Sequence, residues 1–416
     1  MKDSYDTVVI GGGPAGLAAG GKTQDAGIET LIIENNEYLG GIPIQCAHPG
    51  FGNFYFDEEL TGPEFSHRLI DRVKERDVDY VTSAHVAEIN QFSNFDKEVQ
   101  VITEDGISEI ETSTIIYAAG ARERHVYETG ITGDRVSGIF TAGETQTLMD
   151  IYGVLPGEEI VIVGSGDVGL IMARRFALEG AEVKGVMEML PYPGGLTRNV
   201  AQCLRDFDIP LYSQKAVKEI IGNKRVEKVR TVEVEDDLTP IPDTEEVIEC
   251  DSVVLATGLI PYIKKLEDLG VLRDDSTNGP LVNEYLETNI PGIFVAGNAL
   301  TINDYVDFVA DQGELAAEGV VKFMEGDTEG IPSEDWIELK KGRNIRLVAP
   351  HYISGNKDVT LYARVKRPEP QVKIGFEEID YEIEGESVNP GEMINVELEE
   401  EDLQDCENEL TLKVYR

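Results

Sequence analysis

TVVIGGGPAGLAAGGKTQDAGIETLIIENNEYLGG, Thr7 to Gly41, is the stretch that decides the fold. The β-branched run Val8-Val9-Ile10 reads as a strand, and the G-x-G-x-x-G that follows (Gly11, Gly13, Gly16, with Pro14 and Ala15 in the same loop) opens a helix of small and apolar residues. The helix stops at Gly27, where a C-cap takes a left-handed residue. A second strand ends in Glu34, and after five intervening residues comes Gly40-Gly41. In such a unit the first glycine makes the tight turn. The second lets backbone N–H groups approach a pyrophosphate, and the third lets helix and strand pack closely. The helix N-terminus offers partial positive charge to the phosphates, and the terminal acid accepts from a ribose diol.

The same pattern recurs in EIVIVGSGDVGLIMARRFALEGAEVKGVMEMLPYPGG, Glu159 to Gly195. Its glycines are Gly164, Gly166 and Gly169, with Asp167 and Val168 between them. Its helix stops at Gly180, its acid is Glu188 and its closing pair is Gly194-Gly195. A lone G-x-G-x-x-G is weak evidence, but here strand, glycines, helix, cap and acid recur together, in order. Two further strands repeat as well. Thr114 to Tyr117 runs into Ala118-Ala119-Gly120, and Ser252 to Leu255 runs into Ala256-Thr257-Gly258; each closes a sheet beside a nucleotide. Between the motifs of the first half, Glu98 to Ile102 alternates and Asp105-Gly106 turns, which predicts a β-meander crossing over the sheet.

A chain of 416 residues holds two or three domains. Against 36 Lys and Arg stand 79 Asp and Glu, a net charge of −43 spread along the whole chain. That surface repels nucleic-acid phosphates and anionic lipid, so neither is expected as a partner. A dispersed acidic surface suits a salt-rich cytoplasm, and a halophilic source is expected. Lys2, Asp3 and Asp6 ahead of a short strand do not read as a signal segment, and Thr7 to Gly21 is too broken to span a bilayer. Four cysteines (Cys46, Cys203, Cys250, Cys406) make no disulfide framework, and no metal site is expected. The protein should be reduced, soluble and cytoplasmic.

These residues resemble the two-dinucleotide flavoproteins, the family of thioredoxin reductases, glutathione reductases and NADH oxidases. The resemblance implies an α/β fold with two Rossmann-like domains of three-layer ββα build. It places FAD on Gly11, Gly13, Pro14, Ala15, Gly16, Glu34, Gly40, Gly41, Ala119 and Gly120, and NAD(P)(H) on Gly164, Gly166, Asp167, Val168, Gly169, Glu188 and Gly258. A third flavin segment is Thr288 to Asn298, including Gly297. The family usually carries Asp where this chain has Asn298, an exchange that lowers FAD affinity but keeps hydrogen-bonding capacity. A helix near Tyr305 to Lys322 would aim its N-terminus at the flavin. Glu188, flanked by Met187 and Met189 with no Arg or Lys before Arg198, repels a 2′-phosphate, so NAD(H) is expected over NADP(H).

The resemblance narrows at Leu39 to Gly52, Glu58 to Glu64 and Gly194 to Cys203. These are similar to the flavoprotein encoded beside an FAD-dependent glycerol-3-phosphate dehydrogenase and a small cysteine-rich protein, which implies those two subunits as partners. The family's disulfide reductases need paired cysteines, C-x4-C after the first Gly-Gly or C-x-x-C in the second domain. Here Pro43 and His48 stand at the first pair of positions, and a dithiol mechanism is excluded. Cys46 and His48 remain as a single-thiol catalytic candidate, weighed equally against a packed thiol and a turn-capping histidine. Cys203 and Cys250 read as core.

The FAD domain is expected at 1–125 and 275–330, with the NAD(H) domain at 126–274 between them. Pro156-Gly157 marks the second domain's start, and Asn278-Gly279-Pro280 lies just after the return. After Gly330-Ile-Pro332 alternating segments (Ile345 to Val348, Val359 to Val365, Met393 to Leu398, Leu410 to Tyr415) predict a small all-β domain, 335–416, that docks a partner, forms a dimer contact or caps the fold. Three functions stay open. The first is an NADH-linked FAD subunit of a glycerol-3-phosphate dehydrogenase-like complex, moving hydride between nicotinamide and flavin for a small redox substrate. The second is an independent NADH oxidase or peroxidase using Cys46, and the third a non-catalytic assembly flavoprotein. A homodimer is compatible with any of them.

Overall fold

The computed structural model describes residues 1–326, 336–404, 406 and 408–416. The boundary read at Gly330-Ile-Pro332 lies outside the described residues. The chain forms two compact units, Met1–Ala121 with Pro261–Arg416, and Arg122–Ile260.

In the first unit a parallel sheet runs in the order Asp79–Val81, Thr30–Ile33, Ser4–Ile10, Gly106–Tyr117, Ile293–Val295. Both faces of its central strands are covered, which is why they read as unbroken apolar runs: Val8, Val9, Ile32, Ile115 and Ile116 are fully buried. The meander expected from the alternation is present as His85–Ser93, Asp96–Thr103 and the first half of Gly106–Tyr117, all antiparallel. It is continuous with the parallel sheet, because one twelve-residue strand serves both. The helices Pro14–Asp25 and Val306–Glu325 pack against each other beside this sheet. The second of them is the helix read near Tyr305 to Lys322.

The second unit carries a parallel sheet in the order Ile139–Thr141, Ser252–Leu255, Glu159–Val163, Glu182–Met187, Leu211–Tyr212. A four-stranded sheet accompanies it, built on the antiparallel strands Lys215–Gly222, Val226–Glu233 and Glu246–Glu249. The borders differ from those read in the sequence. The unit begins at Arg122, four residues ahead of the expected 126 and well ahead of Pro156-Gly157, and ends at Ile260 rather than at 274. Residues 261–274 pack with the first unit because Ile263, Leu266 and Val271 bury themselves in its core.

The C-terminal segment is a β-sandwich within the first unit's bounds. One sheet is ordered Tyr352–Ile353, Ile337–Lys341, Glu409–Tyr415, Glu369–Phe376, Glu382–Val388, and the other Ile345–Ala349, Val359–Val365, Ile394–Leu398. Leu361, Val396, Leu410, Leu412 and Val414 form the core between them. Besides the two-residue strand Tyr352–Ile353, three strands went unread for local reasons. Glu382–Val388 is a polar edge, and Glu369–Phe376 contains Pro370 followed by Gln371 at φ 49°, a left-handed residue inside the strand. Ile337–Lys341 is only five residues long.

Candidate functional site

The first glycine loop is shaped by contacts that leave no room for side chains. A Cβ at Gly11 would lie 2.3 Å from the Ala118 carbonyl oxygen, and one at Gly16 would lie 1.8 Å from that of Gly11. Gly11 is thus pressed against Ala118-Ala119, the turn that leads on to Gly120. Gly13 caps the helix Pro14–Asp25 without any side-chain hydrogen bond, and Pro14 occupies the first helical position. A Cβ at Gly13 would meet only the Cα of Gly41, at 3.7 Å. An uncapped helix N-terminus ringed by Gly13, Ala15, Gly40 and Gly41 fits the pyrophosphate of FAD. Glu34, 6% exposed, follows the strand Thr30–Ile33. Its Oε2 accepts from the Gly12 N–H at 2.7 Å and its Oε1 from the Asn36 N–H at 2.7 Å. Each oxygen keeps a lone pair for a ribose hydroxyl.

The second loop repeats this construction. Gly164 abuts the Ala256 carbonyl, 2.3 Å from a would-be Cβ, and Gly169 abuts Gly164, at 2.6 Å. Gly166 caps Asp167–Leu178 with no side-chain bond. Glu188 is 9% exposed and receives the Ser165 N–H at 3.0 Å, the Ser165 hydroxyl at 2.5 Å and the Leu190 N–H at 2.8 Å. Asp167 is tied to the following loop, accepting from the Leu196 N–H at 2.8 Å and the Asn199 amide at 2.6 Å. Val168 is exposed, and the Gly258 carbonyl accepts from the Arg124 N–H at 3.2 Å. Ser165 was not singled out in the sequence. Its signal was present, a hydroxyl residue where the first loop has Gly12.

The third segment lies beside the first loop: a Cβ at Gly297 would be 3.0 Å from that of Ala15. Asn298 is half-buried, and its Oδ1 accepts from the Asn303 N–H at 3.0 Å. Gln312 completes the network, accepting from the Gly297 N–H at 3.0 Å and donating to Asn303 Oδ1 at 3.1 Å. The helix Val306–Glu325 opens with the buried Asp307, whose carboxylate accepts from the N–H groups of Gly52, Phe54 and Tyr55. That tether fixes the loop after Cys46, and nothing in the sequence pattern pointed to it.

Cys46 and His48 are both half-buried but have different partners. The Cys46 thiol is directed at the Ile42 carbonyl, 3.6 Å away. His48 Nδ1 pairs with the Pro49 carbonyl at 3.0 Å, and its ring lies against Phe51. None of the four cysteines is part of a disulfide. Cys203 and Cys250 belong to separate cores, one holding Ile160 and Ile162 of the central strand and the other Val161 and Val163. Burial raises the Cys203 thiol pKa and pushes that of Cys250 up to about 12, so both are packing thiols.

Among the described residues no helix is long and apolar enough to cross a membrane. A profile of the family described as pyridine nucleotide-disulphide oxidoreductase matches residues 5–317. A thioredoxin reductase of Bacillus subtilis is 28% identical over 77% of this chain and 95% of its own. A CoA-dependent NAD(P)H sulfur oxidoreductase of Pyrococcus abyssi is 26% identical over 87% of this chain and 84% of its own. Among solved structures, a thioredoxin reductase of T. acidophilum superposes with a TM-score of 0.63 at 23% identity, covering 79% of this chain and 100% of that one. It shares the fold.

Proposed function

The chain belongs to the pyridine nucleotide-disulphide oxidoreductase family and is an oxidoreductase using FAD and NAD(P)H; from that premise we propose that its nicotinamide is NADH and that its electrons leave through a partner subunit, not an internal disulfide. The observation that carries this reading is the combination of two intact, matching glycine-loop sites with four cysteines that form no disulfide, of which the two in the second unit sit in separate cores. When bound, the two cofactors supply hydride and electron transfer, so the chain need only bind, orient and tune them. Glu34 and Glu188 each hold a ribose diol, and the carboxylate of Glu188 disfavours a 2′-phosphate. His48 Nδ1 is engaged by the Pro49 carbonyl and its ring lies against Phe51, which favours the partner-coupled reading over a solitary peroxidase.

The partner is an FAD-dependent dehydrogenase of the glycerol-3-phosphate type with a small cysteine-rich subunit, a reading supported by Leu39 to Gly52 and Gly194 to Cys203. An anaerobic absorbance titration in high salt tests it. NADH should bleach the flavin band, NADPH should do so far less readily, and the reduced flavin should persist until the co-expressed dehydrogenase is added. A protein that turns over fully alone with oxygen or peroxide would overturn it.

A further inference from the structure

The C-terminal β domain reaches the loop that carries the third flavin segment. Arg364, in the strand Val359–Val365, is 6% exposed and ion-pairs with Asp304. The same guanidinium donates to the Ile302 carbonyl at 3.1 Å and, within its own domain, to the Pro390 carbonyl at 3.3 Å. The second oxygen of Asp304 accepts from the Met393 N–H at 2.6 Å. Loop residues 302 and 304 are thus seized from the C-terminal side, while Asn303 between them faces the other way. Its N–H donates to Asn298 Oδ1, and its side chain bonds Gln312 and the Thr301 carbonyl, at 3.1 and 2.9 Å.

A backbone N–H can only donate, so the Asn303 contact fixes which way the Asn298 amide is turned. Oδ1 accepts from both the N–H and the Nδ2 of Asn303, at 3.0 and 3.4 Å, so Nδ2, for which the described residues supply no acceptor, is the atom left to offer. An Asp at this position would offer an acceptor; this chain offers a donor.

We propose that Arg364 is a positioning residue of the flavin site: with the Met393 amide it clamps the 302–304 loop and, through Asn303, holds Asn298 as a hydrogen-bond donor to the flavin. A buried guanidinium with three donated bonds to two segments resists the loop shift that would turn that amide. The proposal rests on Asn298 being a flavin residue, and the variants separate the two claims.

The test is FAD affinity of deflavinated protein, read by quenching of flavin fluorescence, with the visible spectrum and midpoint potential of the reconstituted forms. Asn298→Ala should weaken FAD by about tenfold, the scale of one lost hydrogen bond. An unchanged Kd would refute the role of Asn298 itself. Arg364→Met should weaken FAD to a similar extent and shift the potential, and the double variant should be no worse than Asn298→Ala alone. Ser354→Ala removes another contact of this domain, the bond its hydroxyl donates to Glu284 at 2.7 Å, without touching the loop. It should lower Tm and leave the Kd unchanged. A wild-type Kd in Arg364→Met, or full additivity with Asn298→Ala, overturns the proposal. Should Arg364→Met not fold, Arg364→Lys decides. It keeps the charge beside Asp304 but cannot also serve Ile302, so an intermediate Kd supports the clamp and a wild-type Kd rejects it.

Discussion

Replacing Glu188 by alanine should change which nicotinamide cofactor the protein uses. In the folded chain the carboxylate is nearly buried and held by the Ser165 N–H and hydroxyl and the Leu190 N–H. Its removal acts on the two cofactors with opposite signs. Toward NADH it deletes an acceptor for the ribose diol; hydrogen bonds to a charged group contribute about 1.5–3 kcal/mol each, so one such bond lost corresponds to roughly 10- to 150-fold in the rate constant per unit concentration. Toward NADPH it deletes a repulsion. Unit charges about 4 Å apart interact by about 4 kcal/mol near a protein surface, and salt reduces this substantially. Taking about half of that figure, NADPH should improve by roughly 30-fold. Together the preference for NADH should collapse by roughly 300- to 5000-fold. Anaerobic stopped-flow reduction of the bound flavin, with each cofactor in turn, gives the ratio directly. If the variant keeps its flavin and the ratio moves by less than about threefold, Glu188 does not face the ribose and the argument from the repeat is wrong.

Other outcomes follow from the same contacts. Gly16→Ala puts a Cβ 1.8 Å from a carbonyl oxygen, whereas Gly169→Ala puts one at 2.6 Å. The first should cost more than about 3 kcal/mol and lose FAD, the second clearly less, as thermal unfolding with and without FAD will measure. At a net charge of −43, raising KCl from about 0.1 to 1 M shortens the screening length from about 10 to 3 Å, and Tm should climb by roughly 5 °C or more; a flat profile would remove the case for salt adaptation. Asp274 is buried, which alone would raise its pKa, but His351, Ser276 and the Thr277 N–H hold it well below the usual carboxylate range. A folded-state pKa below the unfolded one stabilises at pH above about 4 and loses that contribution as pH falls further. Asp274→Asn should therefore cost about 2–3 kcal/mol at neutral pH and flatten the acid limb of the Tm profile, and an unchanged limb would show that other carboxylates govern it.

What the sequence made legible were the places where backbone geometry leaves few choices. Gly11, Gly16, Gly164 and Gly169 cannot carry a Cβ, and Glu34 and Glu188 each directly follow a strand, so the motif declares itself locally. What stayed hidden joins distant residues. Asp307 tethers Gly52 to Tyr55 across some 250 positions, and Arg364 meets Asp304 across 60. No periodicity encodes such a pair. The start expected at 126 lies close to Arg122, whereas the return border misled because Asn278-Gly279 marks a turn, and a turn ends an element without ending a domain. Residues 261–274 show it: a short helix with one fully buried leucine, Leu266, commits them to the first unit.

The discontinuity of the first unit has a consequence during synthesis. When residue 121 has left the ribosome, the strand Gly106–Tyr117 has its neighbours on one side, but Ile115 to Tyr117 still lack Ile293 to Val295 on the other. The intervening Arg122–Ile260 is a compact unit of its own and can collapse while the earlier sheet waits with an open edge. At about 5–20 residues per second the delay is on the order of tens of seconds. An open apolar strand edge is a template for pairing between nascent chains, and a heavily anionic polypeptide is one that its neighbours on a polysome repel.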